Sequence, residues 1–244
     1  MTEKPRLNLA GALSLAVVAY LLVLAGGMLI VGTPAWSPFE DHAVVAVNAL
    51  HSPVLDIIAH TLNIAFGSIG AMILTLALAV GAGIRFRSWA TSVRVMTLIV
   101  VPWALSYMLK IIVGRPRPSP AGLTHDTGVD PSTLSYPSGH TAFAAAIMVT
   151  LVLLVIHGRR GLRMPLIAAA IVVVLVAGWS RIYLGVHYPT DILASIVLVP
   201  ATVIAANRVI TGVTGSPLIR QPETTTEEAV PPAPPSPATH SLPS

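Results

Sequence analysis

Cysteine is absent from this chain of 244 residues, which excludes disulfides, thiolate metal sites and cysteine nucleophiles. Charge is scarce as well. Asp, Glu, Lys and Arg make up 10% of the residues, against roughly 25% in a soluble domain, so the chain cannot cover itself with a solvated surface. Glycine-rich nucleotide loops of the G-x-G-x-x-G or Walker kind are missing too. What is there is apolar: 54% hydrophobic residues and a mean hydropathy of +0.79. These numbers describe a membrane protein. Its formal charge of +4 then raises the question of where the basic residues lie, and is no sign of nucleic acid.

Crossing roughly 30 Å of hydrocarbon takes about 20 apolar residues. Runs of that kind predict spans near 9–31, 60–83, 94–113, 139–157, 164–183 and 190–208. Backbone amides must be paired inside lipid, and no alternating strand pattern competes, so the fold class is all-α with six transmembrane helices. With the N-terminus in the cytoplasm, ten of the fourteen Lys and Arg fall on inside segments. The four on outside segments are Lys110, Arg115, Arg117 and Arg181, which oppose the positive-inside bias and need another explanation. Lys4 and Arg6 precede an apolar run longer than a signal-peptide core, so an uncleaved first span is expected. Residues 33–59, with Trp36 and Phe39, read as an interfacial segment on the outer surface. The Pro-, Thr-, Ser- and Glu-rich stretch over 212–244 reads as a disordered cytoplasmic tail.

Three polar clusters stand at the ends of apolar runs. Lys110 falls in the last turn of the third span, and Pro116 and Pro118 hold Arg115 and Arg117 in extended chain beyond it. Snorkelling of basic side chains toward headgroups is the alternative explanation for this cluster. Pro137-Ser138-Gly139-His140 opens the fourth span, where unpaired amides and the positive end of the helix dipole make a ready anion site. An ordinary helix cap would use the same residues. Ser180-Arg181 closes the fifth span, and His187 and Asp191 bracket the start of the sixth, with Pro189 suited to its first turn. One helical turn apart, His187 and Asp191 can touch, and a carboxylate beside an imidazole fixes its tautomer and orients it. An interfacial ion pair between Arg181 and Asp191 is the competing explanation. Together the clusters hold a phosphate clamp, two histidines and a carboxylate.

Lys110-x6-Arg117-Pro118, Pro137-Ser138-Gly139-His140 and Ser180-Arg181-x5-His187-x3-Asp191 resemble the three signature motifs of the type-2 phosphatidic acid phosphatases. These membrane lipid phosphatases are related in fold to the vanadium haloperoxidases, and the resemblance extends over about residues 54–208. It implies an organisation of a first span and interfacial segment (1–53), a phosphatase core (54–211) and the tail. It further implies that His187 attacks phosphorus, that Asp191 holds its other ring nitrogen and that His140 exchanges protons with the leaving group and water. Lys110, Arg117 and Arg181, with Ser138 and the Gly139 amide, would bind the phosphate, and no metal or cofactor is implied. A neutral His187 and a charged His140 would give a bell-shaped pH profile.

Other polar residues are assigned blander roles. Arg115, His125, Asp126 and Asp130 read as loop polarity. Asp56 and His60 read as a helix-end pair rather than metal ligands, since no third ligand is in view. Tyr183 and Tyr188 read as aromatic belt residues. The composition and the resemblance together point to a bacterial plasma membrane, with both termini cytoplasmic and the site extracytoplasmic. The expected partners are the bilayer and a lipid phosphate, with no nucleic acid, and no signal speaks to oligomeric state. Undecaprenyl (polyprenyl) diphosphate is the favoured substrate, and phosphatidic acid or phosphatidylglycerol phosphate the alternative. A non-catalytic lipid-binding or transporter-like protein is the alternative of another class.

Overall fold

The computed structural model describes residues 8–125, 128–129, 132–156, 160–215 and 218. Among them are eight α-helices and no strand: α1 Leu9–Gly32, α2 Trp36–Asn48, α3 Pro53–Phe66, α4 Ser68–Phe86, α5 Trp89–Val113, α6 Gly139–Ile156, α7 Arg163–Tyr183 and α8 Pro189–Thr214. Local sequence explains many of the ends. Asn8, Ser52 and Ser88 accept first-turn amides with their side chains at the starts of α1, α3 and α5, satisfying donors that a helix cannot pair by itself. Gly114, at φ +66, closes α5, and the prolines that follow keep the chain extended. Pro102 and Pro200 lie inside α5 and α8 without ending them.

Five helices (α1, α4, α5, α7 and α8) are long and apolar enough to cross a membrane. The shorter apolar α6 stands at the centre, packed against α5, α7 and α8. The expected all-α, multi-pass architecture is what the chain adopts. Ala142, Ala144, Ala145 and Ala146 of α6 are all buried, and such small side chains let helix backbones approach closely where lipid supplies no hydrophobic drive. At Gly178 of α7 an added Cβ would come within 2.4 Å of Ile192 Cγ2, so the α7–α8 crossing depends on that missing side chain. Large apolar side chains point away from the bundle, Leu22, Leu29, Ile69 and Ile84 among them. That is the surface a lipid-solvated bundle presents.

Two boundaries differ from the sequence reading. The second apolar run does not form one helix from residue 60: Gly67 is extended, at φ −69 and ψ 171, and separates α3 from α4. Hydropathy continues across this break, so a window over the sequence cannot see it. The sixth span also runs on, α8 reaching Thr214, past the expected start of the tail. Residues 219–244 of that tail lie outside the described residues, as do Lys4, Arg6, Asp126 and Asp130. The first span is built into the bundle, with Val23 and Ile30 packed against Leu109, Val113 and Leu198. Tyr136 Oη donates to the Val23 carbonyl at 2.7 Å. Finally, residues 36–48 form a helix whose Glu40, Val44 and Asn48 are buried, and it lies against α7 and α8.

Candidate active site

The ends of α5 and α7 and the starts of α6 and α8 meet at one end of the bundle, and the three clusters meet with them. His187 sits in the turn between α7 and α8, entirely buried. Gly185 makes that turn at φ +69, with Leu123 packed where a Cβ would go, so a side chain there is excluded twice. His187 Nδ1 lies 3.1 Å from Asp191 Oδ2, and its Nε2 lies 3.3 Å from Arg117 Nη1. A guanidinium can only donate, so Nε2 is the unprotonated nitrogen and Nδ1–H donates to Asp191. The lone pair on Nε2 therefore faces the cations. Burial first, then the charges of Arg117, Lys110, Arg181 and His140, hold the imidazole well below its ordinary pKa of 6.5.

The three expected clamp cations are themselves pinned. Arg117 Nε donates to Thr133 Oγ1 at 3.0 Å and Nη1 to the Val186 carbonyl at 2.8 Å. Lys110 Nζ donates to the carbonyls of Leu134 and Ser135 at 3.0 and 2.8 Å. Arg181 Nη1 donates to Asn63 Oδ1 at 2.7 Å, while its Nε is buried with no protein acceptor. An orphaned guanidinium N–H in a buried setting is costly unless an anion takes it. His140, at the start of α6, places Nε2 3.2 Å from the Asn63 carbonyl. A carbonyl only accepts, so that nitrogen carries a proton and Nδ1 is left for exchange. Ser138 is fully buried and caps α6, its Oγ accepting from the Thr141 amide and hydroxyl. Around the Gly139 Cα there is open space, with nothing within 4 Å of where a Cβ would stand.

Asp191 is held from three sides. Besides His187 it accepts from the Tyr188 amide at 2.9 Å, as the third residue of a capping box at the start of α8. Its other oxygen accepts from Arg115 Nη1 at 2.9 Å. The ion pair expected as an alternative, with Arg181, is replaced by this one. Arg115 is not loop polarity either: it is 1% exposed, its Nη2 donates to Glu40 Oε2 at 2.8 Å and its guanidinium lies over the Tyr188 ring at 3.8 Å. Glu40 also takes the amide and hydroxyl of Thr190. A buried chain of Glu40, Arg115 and Asp191 thus runs from α2 to the base of His187. Tyr183 and Tyr188 are buried rather than set at a membrane belt, and Tyr183 bonds Asp56.

Reading the sequence missed Glu40, Asn63 and Asn48 altogether. Glu40 and Asn48 share a helix face with Val44, and an acid and an amide on an apolar stripe are a signal of burial with a partner. Asn63 has no comparable signal, since its contacts come from α6 and α7 far along the chain.

Comparison with known proteins bears on the family and the fold. Residues 89–213 match the family model described as the PAP2 superfamily. The sequence is 32% identical over 94 residues to an undecaprenyl-diphosphatase of Bacillus subtilis, covering 38% of this chain and 45% of that protein. It is 33% identical over 129 residues to phosphatidylglycerophosphatase B of the same organism, covering 50% of this chain and 60% of that one. A decaprenylphosphoryl-5-phosphoribose phosphatase of Mycolicibacterium smegmatis is 31% identical over 156 residues, covering 63% of this chain and 79% of the relative. The first two relatives are thus matched over about half of their length. In fold, the chain resembles the crystal structure of a transmembrane PAP2-type phosphatidylglycerolphosphate phosphatase from Bacillus subtilis. The TM-score is 0.65 and the identity 21%, over 84% of this chain and 96% of that one.

Proposed function

The chain belongs to the PAP2 superfamily, and from that membership and the site geometry we propose that it is an integral-membrane lipid phosphatase working through a phosphohistidine. The observation that carries this reading is the His187 imidazole, with Nδ1 on Asp191 and Nε2 turned toward Arg117. Nε2 attacks phosphorus, the bond to the lipid oxygen breaks with its electron pair leaving on that oxygen, and His140 supplies the proton. His140 then takes a proton from water, whose oxygen attacks the phosphohistidine. The N–P bond breaks and inorganic phosphate leaves. Lys110, Arg117 and Arg181, with the free amides opening α6, meet the charge on the equatorial oxygens, so no step is routed through a metal or cofactor.

The site faces the extracytoplasmic side in this proposal, with both termini in the cytoplasm. The cations at the opposite helix ends (Arg85, Arg87, Arg94, Arg163 and Arg208) support that orientation through the positive-inside rule. Undecaprenyl (polyprenyl) diphosphate is the proposed substrate. Support comes from relatives named for polyprenyl-linked phosphates. A glycerophospholipid phosphate is the second reading, favoured by the 33% identity to phosphatidylglycerophosphatase B.

The test is release of phosphate by the purified, detergent-solubilised chain in the presence of EDTA. The panel holds undecaprenyl diphosphate, decaprenylphosphoryl-5-phosphoribose, phosphatidylglycerol phosphate and phosphatidic acid. Preference for a polyprenyl member supports the proposal, and preference for a glycerolipid moves the substrate to the second reading. No release from any member, with wild type and His187→Ala alike, refutes the enzyme and leaves a lipid-binding or transporter-like protein.

A further inference from the structure

Beside the site, and outside it, three side chains from three segments converge with the character of metal ligands. His51 comes from the turn between α2 and α3, Asp56 from the first turn of α3 and His125 from the α5–α6 loop. His51 Nδ1 is 3.1 Å from the Asp56 carboxylate, and His125 Nε2 is 4.0 Å from the same group. All three ligand atoms lie within 4.8 Å of one another, the only such trio among the described residues. The two imidazole rings stack at 3.7 Å between centroids. Asp56 thus meets His51 and His125, and His60, with which the sequence paired it, is not part of the trio.

We propose that His51, Asp56 and His125 form a binding site for a transition-metal cation of the zinc class. Two imidazole nitrogens and one carboxylate are the donor set that suits Zn²⁺ or Ni²⁺ and disfavours Mg²⁺ and Ca²⁺, which take oxygen. Three protein ligands leave a fourth position for water or another ligand. Tetrahedral zinc holds its ligands at about 2.0–2.1 Å, hence about 3.3 Å from each other, so the trio needs to close by at most about 1.5 Å. The side chains are 24–40% exposed, which gives an ion a path in.

The surroundings are those of a supported site. Asp56 accepts from the Tyr183 hydroxyl, the kind of outer contact that orients a ligating carboxylate. The buried Asn48 grips His125 from both sides, accepting from its amide at 2.9 Å and donating to its carbonyl at 3.1 Å. The same Asn48 donates to the Tyr183 carbonyl at 3.0 Å. A bound ion would join these segments, and the loop it fixes is the one whose Thr133, Leu134 and Ser135 hold Arg117 and Lys110. The site is thus placed to steady the clamp without touching phosphorus.

The experiment uses the full chain in detergent with any affinity tag removed, stripped with EDTA and then freed of it. Calorimetric titration with Zn²⁺ is expected to show one ion per chain, and Mg²⁺ at the same concentrations none. His125→Ala and His51→Ala, both at solvent-accessible positions, should each weaken Zn²⁺ binding at least tenfold and abolish the rise in thermal midpoint that Zn²⁺ gives the wild type. His42→Ala should change neither. Failure of the wild type to bind one Zn²⁺, or equal binding by the double variant His51→Ala/His125→Ala, overturns the site. None of these readouts depends on phosphatase activity, so the metal site and the phosphatase reading stand or fall separately.

Discussion

The two ends of the bundle handle positive charge in opposite ways. At one end Lys110, Arg115 and Arg181 are buried and Arg117 half-buried, each bonded to named acceptors around His187. At the other, Arg85, Arg87 and Arg163 are exposed, and Arg94 is the described basic residue buried there, held by Asn207 and Thr211. An exposed cation at a helix end serves topology and headgroups at little cost. A buried one loses its hydration and needs compensation. The site end gathers several such residues with too few carboxylates to neutralise them, which leaves room for the charge of a bound phosphate.

The sharpest way to break the comparison is to remove the proposed nucleophile from the charged end. His187→Ala should lower turnover by about 10⁴-fold or more, since members of a catalytic unit fail together. His140→Ala should lose about 10²–10⁴-fold, the usual range for an acid–base group. Single-turnover assays of phosphate release measure both. A His187 variant that retains a tenth of wild-type activity would return the site end to the status of a lipid anchor. Arg181→Ala comes next, at about 10²–10³-fold in kcat/KM, the scale of one lost oxyanion donor.

How much of this was legible in the sequence depends on how far each contact reaches along the chain. The proximity of His187 and Asp191 could be read at once, because one helical turn separates them and Pro189 announces the helix. The helix-end placement of Lys110 and His140 followed from the apolar runs. The break at Gly67 did not, because a polypeptide can leave the helix for one residue without any change in hydropathy. Nor did the burial of Arg115, whose two carboxylate partners lie 75 and 76 residues away. Asn63 was invisible for the same reason, and the pattern of α2 marks Glu40 for burial without naming its partner. What makes a polar residue part of the site here is a partner on another helix, and pattern along one helix does not record that.

Acidity tests the same contrast through His187. Its folded pKa lies below the ordinary 6.5, so it stays neutral and nucleophilic at neutral pH. The acid limb of kcat/KM, which reports the free enzyme, is expected below pH 6.5, with activity falling about tenfold per unit beneath it. The same shift has a stability consequence. The unfolded chain takes up the proton first, so the contribution of this residue is complete above about pH 6.5 and is lost as pH falls toward the folded value. Thermal midpoints measured from pH 7.5 down to 5 should decline, and His187→Gln should decline less steeply. An acid limb above pH 7 would mean that the cations do not face this imidazole.

A smaller effect is expected where Glu40 supports the site from outside. Glu40→Gln keeps the shape but removes the charge that shares Arg115 with Asp191. Arg115 then turns its whole charge on Asp191, which weakens the hold of that carboxylate on His187. We expect about a tenfold loss in kcat, in line with outer-shell partners elsewhere, with KM nearly unchanged and the acid limb displaced. A purely structural role would instead lower the thermal midpoint and leave the limb in place.

The smallest effect belongs to the opposite end. Arg85 and Arg87 close α4 with exposed side chains, and their charges lie a helix length from His187. Screening reduces interaction between exposed charges beyond about 8–10 Å at ordinary salt, so neither reaches the site. Arg85→Ala and Arg87→Ala should leave kcat/KM within about twofold of wild type in detergent, because surface substitutions away from special features do little. Arg87 adopts the left-handed conformation at φ 51, so Arg87→Gly is the cleaner variant there, relieving strain while removing charge. In cells the proposed orientation gives these cations a role that detergent hides, since basic residues bias orientation. Removing Arg85 and Arg87 together should raise the fraction of inverted molecules, read by labelling of a cysteine introduced at an exposed loop position of this cysteine-free chain. A large kinetic loss in detergent from either residue would erase the distinction between the two ends.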